Sequence, residues 1–452
     1  NNYEVIDLGV MVPCNDILQK AKEYNVDIIG LSGLITPSLE EMSYVASEME
    51  RLNFTIPLLI GGATTSKAHT ALKIAPKYSG PVIYVRDASL AVQVCRQLLS
   101  SSSKQSFVEN MNRDYEELRS TYSKSDTQKL MHTLEKARTL KFINNAAYKP
   151  AKPNKTGIVT FTNYTIDSLV PYIDWTFFFK AWELKGQYPY ILDDSNEGEQ
   201  AKKLFSDAQN LLHDLLKHKG LQLKGIIGIF PANSDNNDSI KVYESEDKNK
   251  VLTEIHCLRQ QIVKPNKKPN VSLADFILPE SSGITDYLGF FAVSAGFGVD
   301  MLVEQFEKDN DSYNSIMVKI LADRLAEAFA EVLHEVVRKK LWGYAAEESI
   351  SISDMLHVKY EGIRPAPGYP ACPDHSEKKQ IFDLLGVEKS IGITLTESYM
   401  MQPAASVCGY YFANPESHYF SIGKIGDDQL ADFAKRKGIS IDNARKVTGM
   451  FV

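Results

Sequence analysis

The sequence predicts an α/β parallel-sheet domain followed by an α+β domain. Three observations carry that expectation. Through the first hundred residues, short β-rich apolar runs alternate with amphipathic helical stretches. Beyond residue 157 the alternation stops, although strand-like and helix-like pieces continue. The 452 residues, 44% of them hydrophobic and 24% charged, supply enough apolar material for a sizeable core and length for roughly three domains.

The apolar runs of the first part are Val5–Leu8, Val26–Leu31, Ile56–Ile60 and Pro81–Val85. Between them lie helical stretches at 15–24, 39–53, 67–77 and 89–99. In the second of these, Leu39, Met42, Val45, Met49 and Leu52 share one face at three- and four-residue spacing. Short strands separated by helices imply βαβ crossovers and a flavodoxin/Rossmann-like parallel sheet covered on both faces. Only four strands can be counted where such sheets usually have five or more. The first strand and its loop are therefore expected upstream of Asn1, and the chain is expected to be a fragment of something longer. Ligands of open α/β sheets bind at the carboxyl ends of the strands, which here carry Ser32–Ser38 and Gly61–Ser66. Ser100–Ser103 and the Glu- and Lys-rich sequence after it mark 101–156 as a partly helical connector wrapping the next domain. From 157 to 452, strand-like pieces at Gly157–Thr162, Gly225–Phe230 and Ser239–Tyr243 are separated by long irregular stretches and a helix over Ser315–Leu341. This pattern is α+β.

Composition removes several functions. Fifty basic against fifty-seven acidic residues give a net charge of −7, so no bulk positive field is present for nucleic acid or anionic lipid. No apolar run reaches the roughly 18–20 residues of a membrane span, and no charged-then-apolar leader opens the chain, so a cytoplasmic protein is expected. Five widely spaced cysteines (Cys14, Cys95, Cys257, Cys372, Cys408) read as reduced thiols. Neither G-x-G-x-x-G nor G-x-x-x-x-G-K-[ST] occurs, which weakens dinucleotide and P-loop readings.

Six features could carry chemistry, each beside a plainer reading. The two glycine- and hydroxyl-bearing loops suit a large polar ligand on the sheet edge, or are ordinary turns. Glu361–Pro373 holds four prolines and two glycines in thirteen residues and cannot form a helix or central strand. Such a stiff loop with one Arg and one Tyr suits bidentate grip on a carboxylate, its proline-flanked carbonyls left to face a cation, or it is a structural turn. Cys372-Pro373-Asp374-His375 is at most half a zinc site, and His69 reads more readily as a capping or core histidine than as a ligand. Glu327, Glu331 and Glu335, at i, i+4 and i+8, read as a solvated helix face, and Trp175 with Phe177–Phe179 as core, where Asp174 would be costly to bury without a partner.

Taken together, these residues resemble the C-terminal half of the cobalamin-dependent methionine synthase family. Gly9–Pro13, Leu31–Ser38 and Ile60–Thr70 are similar to its cobalamin-binding domain. Ile173–Thr176, Phe230–Ser234 and Gly362–Asp374 are similar to its activation domain, which binds S-adenosylmethionine. The resemblance covers essentially the whole chain, and GIRPAPGYPACPDH is its most specific stretch. It implies three parts: a cobalamin-binding domain at 1–100 lacking its first strand, a helical connector at 101–156, and an activation domain at 157–452. It implies a methyltransferase whose cobalamin methylates homocysteine, is remethylated by methyltetrahydrofolate and, after oxidation to cob(II)alamin, is restored by one electron and S-adenosylmethionine.

Carried over position by position, the resemblance assigns Ser32, Thr36, Gly61, Gly62 and Ala88 to cobalamin. It assigns Asp174, Glu327, Arg364, Ala366, Tyr369, Tyr419 and Phe420 to S-adenosylmethionine. No catalytic side chain is implied in this half. The cobalt-ligating histidine of D-x-H-x-x-G is expected upstream of Asn1, so the chain alone should bind cobalamin poorly. Val358 stands where some members carry an acid. The implied partners are a flavodoxin or flavoprotein reductase as electron donor and upstream homocysteine and folate domains, where the family's zinc resides. The alternatives are a non-catalytic corrinoid carrier or sensor, and an unrelated flavin-binding flavodoxin-like domain.

Overall fold

The computed structural model describes all residues except 1, 2, 10, 11, 34–36, 63, 101, 127–129, 146, 219, 266, 267 and 449–452. It divides into two compact units, Asn1–Leu130 and Met131–Val452.

In the first unit three strands, β1 (Ile29–Ser32), β2 (Leu58–Gly61) and β3 (Val82–Tyr84), pair in parallel in that order. Helix Pro37–Arg51 crosses from β1 to β2 and the segment 67–77 from β2 to β3, while helix Cys14–Glu23 leads into β1 and helix Ala88–Leu99 follows β3, as the period of the sequence predicts. Leu39, Met42, Val45 and Met49 are all buried. The expected strand Val5–Leu8 does not form: these residues are irregular, and Val5 is 81% exposed. A β-rich tetrapeptide acquires a ladder only beside a partner, and among the described residues none pairs with it. The expected helix at 67–77 is irregular too, passing from Lys67–His69 through a π-helical turn, Thr70–Ile74, to a 3₁₀ turn, Ala75–Lys77.

The segment 101–156 is divided between the units. Helix Lys104–Asp126 belongs to the first: Tyr115 is buried and its hydroxyl accepts from Tyr84 N at 3.0 Å, while Arg119 donates to Ala71 O at 2.8 Å. Residues 131–156 run along the second, where Arg138 pairs with Asp238 and Asp432 and Trp342 Nε1 donates to Ala151 O at 2.8 Å.

The second unit is built on a six-stranded antiparallel sheet. Its strands are β4 (Gly157–Phe161), β5 (Gln222–Ser234), β6 (Ser239–Tyr243), β7 (Val251–His256), β8 (Asp286–Phe297) and β11 (Ser406–Tyr411), after a small hairpin of β9 (Thr394–Leu395) and β10 (Met401–Gln402). The order is β11-β8-β5-β6-β7, with β4 beside the first half of β5. Alternate residues of β8 enter two cores. Tyr287, Phe291, Val293 and Ala295 face helices 175–181, 198–218 and 312–336, whereas Leu288, Phe290 and Ala292 face helix Glu377–Leu385. The sequence concealed β8 because a strand buried on both sides shows no polar alternation. The long helix runs Ser312–Val336 and ends in a π-helical turn, Val337–Leu341.

Candidate functional site

In the first unit the carboxyl ends of β1 and β2 form one loop pair. Gly33 N donates to Gly61 O at 2.9 Å, and Thr64 Oγ1 donates back to Gly33 O at 3.0 Å. The loops pass so close that a Cβ on Gly62, at φ +103°, would stand 2.3 Å from Gly33 O. Thr65 Oγ1 closes the turn on Gly62 O at 2.8 Å, and Ser66 caps the next helix through His69 N. His69 is half-buried with no hydrogen-bond partner at Nε2. The resulting edge presents backbone and small side chains: Ser32 is exposed, and a Cβ on Gly30 would meet nothing within 4 Å. Ala88 opens the helix after β3. Thr36 lies outside the described residues. An edge stripped of side chains in this way fits an extended cofactor tail laid against the strand ends.

In the second unit, the prolyl loop is pinned at several points. Ile363 and Phe412 exchange backbone hydrogen bonds at 3.0 Å, Tyr410 N donates to Pro365 O at 2.9 Å, and Ile422 N donates to Pro370 O at 2.9 Å. The proline carbonyls expected to be available for a cation are thus, at Pro365 and Pro370, used by the chain itself. Gly368 is required by its φ of +98° and by His375, whose ring would lie 2.1 Å from a Cβ there. At the end of the loop Lys437, from helix Asp427–Lys437, pairs with buried Asp374 and lies 2.5 Å from buried Glu377. Asp374 also accepts from Ser376 N and Oγ, so the Cys-Pro-Asp-His run serves as a brace. Burial pushes Glu377 up to about 7.

Arg364, the loop's only arginine, keeps 17% of its side chain exposed. Its Nη1 donates to Tyr360 OH at 2.8 Å and meets His334 Nδ1 at 3.4 Å; its Nη2 lies 2.5 Å from Glu331 Oε2. Its backbone N donates to Tyr419 OH at 3.0 Å. Tyr419 and Tyr369 are both largely exposed. The Tyr369 phenol is raised by desolvation of its inner part and then by the charge of Glu327, with Arg324 and Arg364 opposing the rise. Ala366 O accepts from Tyr369 N at 3.2 Å and shapes the turn.

His334 is fully buried, stacked on Tyr411 with ring centroids 5.1 Å apart. Burial and the flanking Arg338 and Arg364 hold it far below the ordinary histidine range, hence neutral. Arg338 lies 4.3 Å over the Tyr360 ring and is itself held by Glu348 at 2.8 Å.

The acidic row is not a solvated face. Glu331 is 4% exposed, and Glu335 is half-buried between Lys339 and the hydroxyl of Tyr172. Elements distant in sequence cover this side of the helix. Asp174 belongs to one of them: it is half-buried and caps helix Trp175–Ala181 by accepting from Thr176 N at 2.9 Å. The contacts of Tyr172 with Glu335 and of Arg324 with Phe177 set its segment beside the long helix. Trp175, Phe178 and Phe179 are core as expected, whereas Phe177 is 52% exposed with Lys180 over its ring. Phe420 turns toward the second core, 6.2 Å from Phe276.

The structure therefore brings Arg364, Tyr369, Tyr419, Ala366 and Glu327 together and sets the segment of Asp174 alongside. It adds Glu331, Tyr360 and His334, which sequence reasoning did not single out as site residues. The signal available for Glu331 was its place one turn after Glu327 in an otherwise apolar stretch, Ala326–Leu333.

Comparison with known proteins agrees with this division. Residues 165–438 match the family model of the vitamin B12 dependent methionine synthase activation domain, and residues 1–80 match that of the B12 binding domain. A solved structure, the crystal structure of the MetH reactivation domain bound to AdoHcy, is similar at 46% identity and a TM-score of 0.69, covering 71% of this chain and 98% of that one.

Proposed function

Because this chain belongs to the cobalamin-dependent methionine synthase family, we propose that its second unit binds S-adenosylmethionine and presents the sulfonium methyl to cobalamin carried by its first. The family's enzymes are methyltransferases, and this half serves reactivation. Bound cobalamin supplies the nucleophilic cobalt that accepts the methyl group. The chain's own residues bind, orient and keep water away. Ser32, Thr36, Gly61, Gly62 and Ala88 are the proposed hold on the cofactor. Asp174, Glu327, Arg364, Ala366, Tyr369, Tyr419 and Phe420 are the proposed hold on the methyl donor.

In the donor the methyl carbon–sulfur bond breaks and its electron pair stays on sulfur. The product is the neutral thioether S-adenosylhomocysteine, the AdoHcy of the similar solved structure. A thioether leaves without a proton, so no general acid is needed, and none of the assigned side chains has to act as one. Reactivation takes one electron from a partner. A flavodoxin or flavoprotein reductase is the proposed donor, with homocysteine and folate domains in the same polypeptide. The residues 1–100, 101–156 and 157–452 remain the proposed functional parts. Among the described residues no helix is long and apolar enough to cross a membrane.

The observation that carries the reading is Arg364, fixed at Nη1, at Nη2 and at its own backbone N on a stiff loop, yet still partly exposed beside Tyr369 and Tyr419. Arg364→Ala is expected to abolish S-adenosylmethionine binding by calorimetry, with far-ultraviolet circular dichroism retained. A variant that binds with unchanged affinity would remove the pocket assignment.

A further inference from the structure

We propose that Glu331 is a specificity-determining residue of this site: it makes Arg364 accept a carboxylate only from a ligand that brings a positive charge with it. The inference rests on the functional reading above and adds to its site a residue not assigned there.

Glu331 is 4% exposed, its Oε2 lies 2.5 Å from Arg364 Nη2, and its Oε1 is buried with no hydrogen-bond partner. Arg364 is thus already neutralised by a carboxylate of the chain. A second carboxylate, brought by a ligand to the same guanidinium, meets the charge of Glu331 at short range and away from bulk water. Two carboxylates around one cation leave an excess negative charge there, which is costly. An α-ammonium next to the ligand carboxylate cancels the excess, and Glu331 Oε1 is an acceptor in need of a donor.

No group bonded to the Arg364 guanidinium substitutes for that ammonium. Tyr360 and His334, which fix Nη1, are neutral groups. Arg338, the next cation along the chain, is matched by Glu348 through hydrogen bonds of 2.8–3.1 Å. A plain carboxylic acid of the same shape therefore meets repulsion and leaves Oε1 without a donor.

Calorimetry on the 452-residue protein tests this with S-adenosylhomocysteine and its analogue in which hydrogen replaces the α-amino group. The wild type is expected to prefer the amino ligand by about thirtyfold, the size of one charge-assisted hydrogen bond. Glu331→Gln is expected to bring the two affinities within about threefold, mainly by tighter binding of the des-amino analogue. Glu331→Asp, which keeps the charge, is expected to retain the preference. A wild type that binds both ligands equally overturns the proposal even if the glutamine variant fails to fold. So does a Glu331→Gln protein that weakens both ligands by one factor, the mark of a merely structural residue. A wild type that binds neither ligand overturns the functional reading instead.

Discussion

Arg259 and Arg364 are both arginines set beside carboxylates in the second unit, but they are finished to different degrees. Arg259 is 2% exposed, and all five of its side-chain N–H groups have acceptors: Asp238 takes Nε and Nη2, Asp275 takes Nη1 and Nη2, and Asn270 O takes Nη1 at 2.6 Å. Arg364 has a single carboxylate, two neutral neighbours and 17% exposure, and the oxygen of Glu331 beyond it has no partner. A closed network of this kind joins strands and loops and has no capacity for a ligand. An unfinished one is where a ligand's groups complete the pairing. The number of satisfied donors separates Arg259, a structural arginine, from Arg364, the proposed binding one.

Arg259→Ala is the harshest way to break this contrast. It strands Asp238 and Asp275 as buried charges, and about 3–5 kcal/mol of stability should be lost in urea unfolding. The folded remainder should bind S-adenosylmethionine normally. Arg364→Ala strands one carboxylate only, so its loss of stability should be the smaller while its loss of binding is complete.

Asp286 is a buried carboxylate with no cation among its hydrogen-bond partners, Leu278 N and Tyr287 N. Burial pushes it from its ordinary 3.8 up to about 7. The unfolded chain releases that proton first, so stability should fall as pH rises from about 4 to about 7, by on the order of 4 kcal/mol, and level off above. Asp286→Asn should flatten that slope in unfolding measured across the range; an unchanged slope would place its origin elsewhere.

Two glycine-type positions sharpen the contrast by leaving charge untouched. Gly368→Ala combines a disfavoured backbone with overlap on the His375 ring and should cost about 2 kcal/mol, with weakened binding because the loop shifts. Val358 occupies φ +58° where helix Ile352–Leu356 ends, with Val358 N bonded to Met355 O and Lys359 N to Asp354 O. Glycine is the usual residue at such a helix end, so Val358→Gly should raise stability by about 1 kcal/mol in thermal unfolding.

The sequence made some of this legible. Strands β1 to β3 and the helices between them followed from period alone, because each sits in a local βαβ repeat. The stiffness of 361–373 followed from its prolines. Val5–Leu8 misled because strand character says nothing about a partner. The burial of Glu331 was hidden for the same reason: i, i+4, i+8 acids look solvated until segments 170–177 and 360–369, remote in sequence, cover them. Long-range pairing decided both Val5–Leu8 and Glu331, where local pattern failed.

Lys437 shows how far that reach extends. A fragment of the second unit ending between Phe420 and Lys437 would hold every residue assigned to the methyl donor. It would also leave Asp374 and Glu377 as two buried like charges with no cation between them. Their repulsion would loosen the base of the prolyl loop. The shortest segment fit for binding studies is thus defined by a counter-ion sixty-three positions downstream of Asp374, and trimming helix Asp427–Lys437 would disarm the proposed pocket without removing one of its assigned residues.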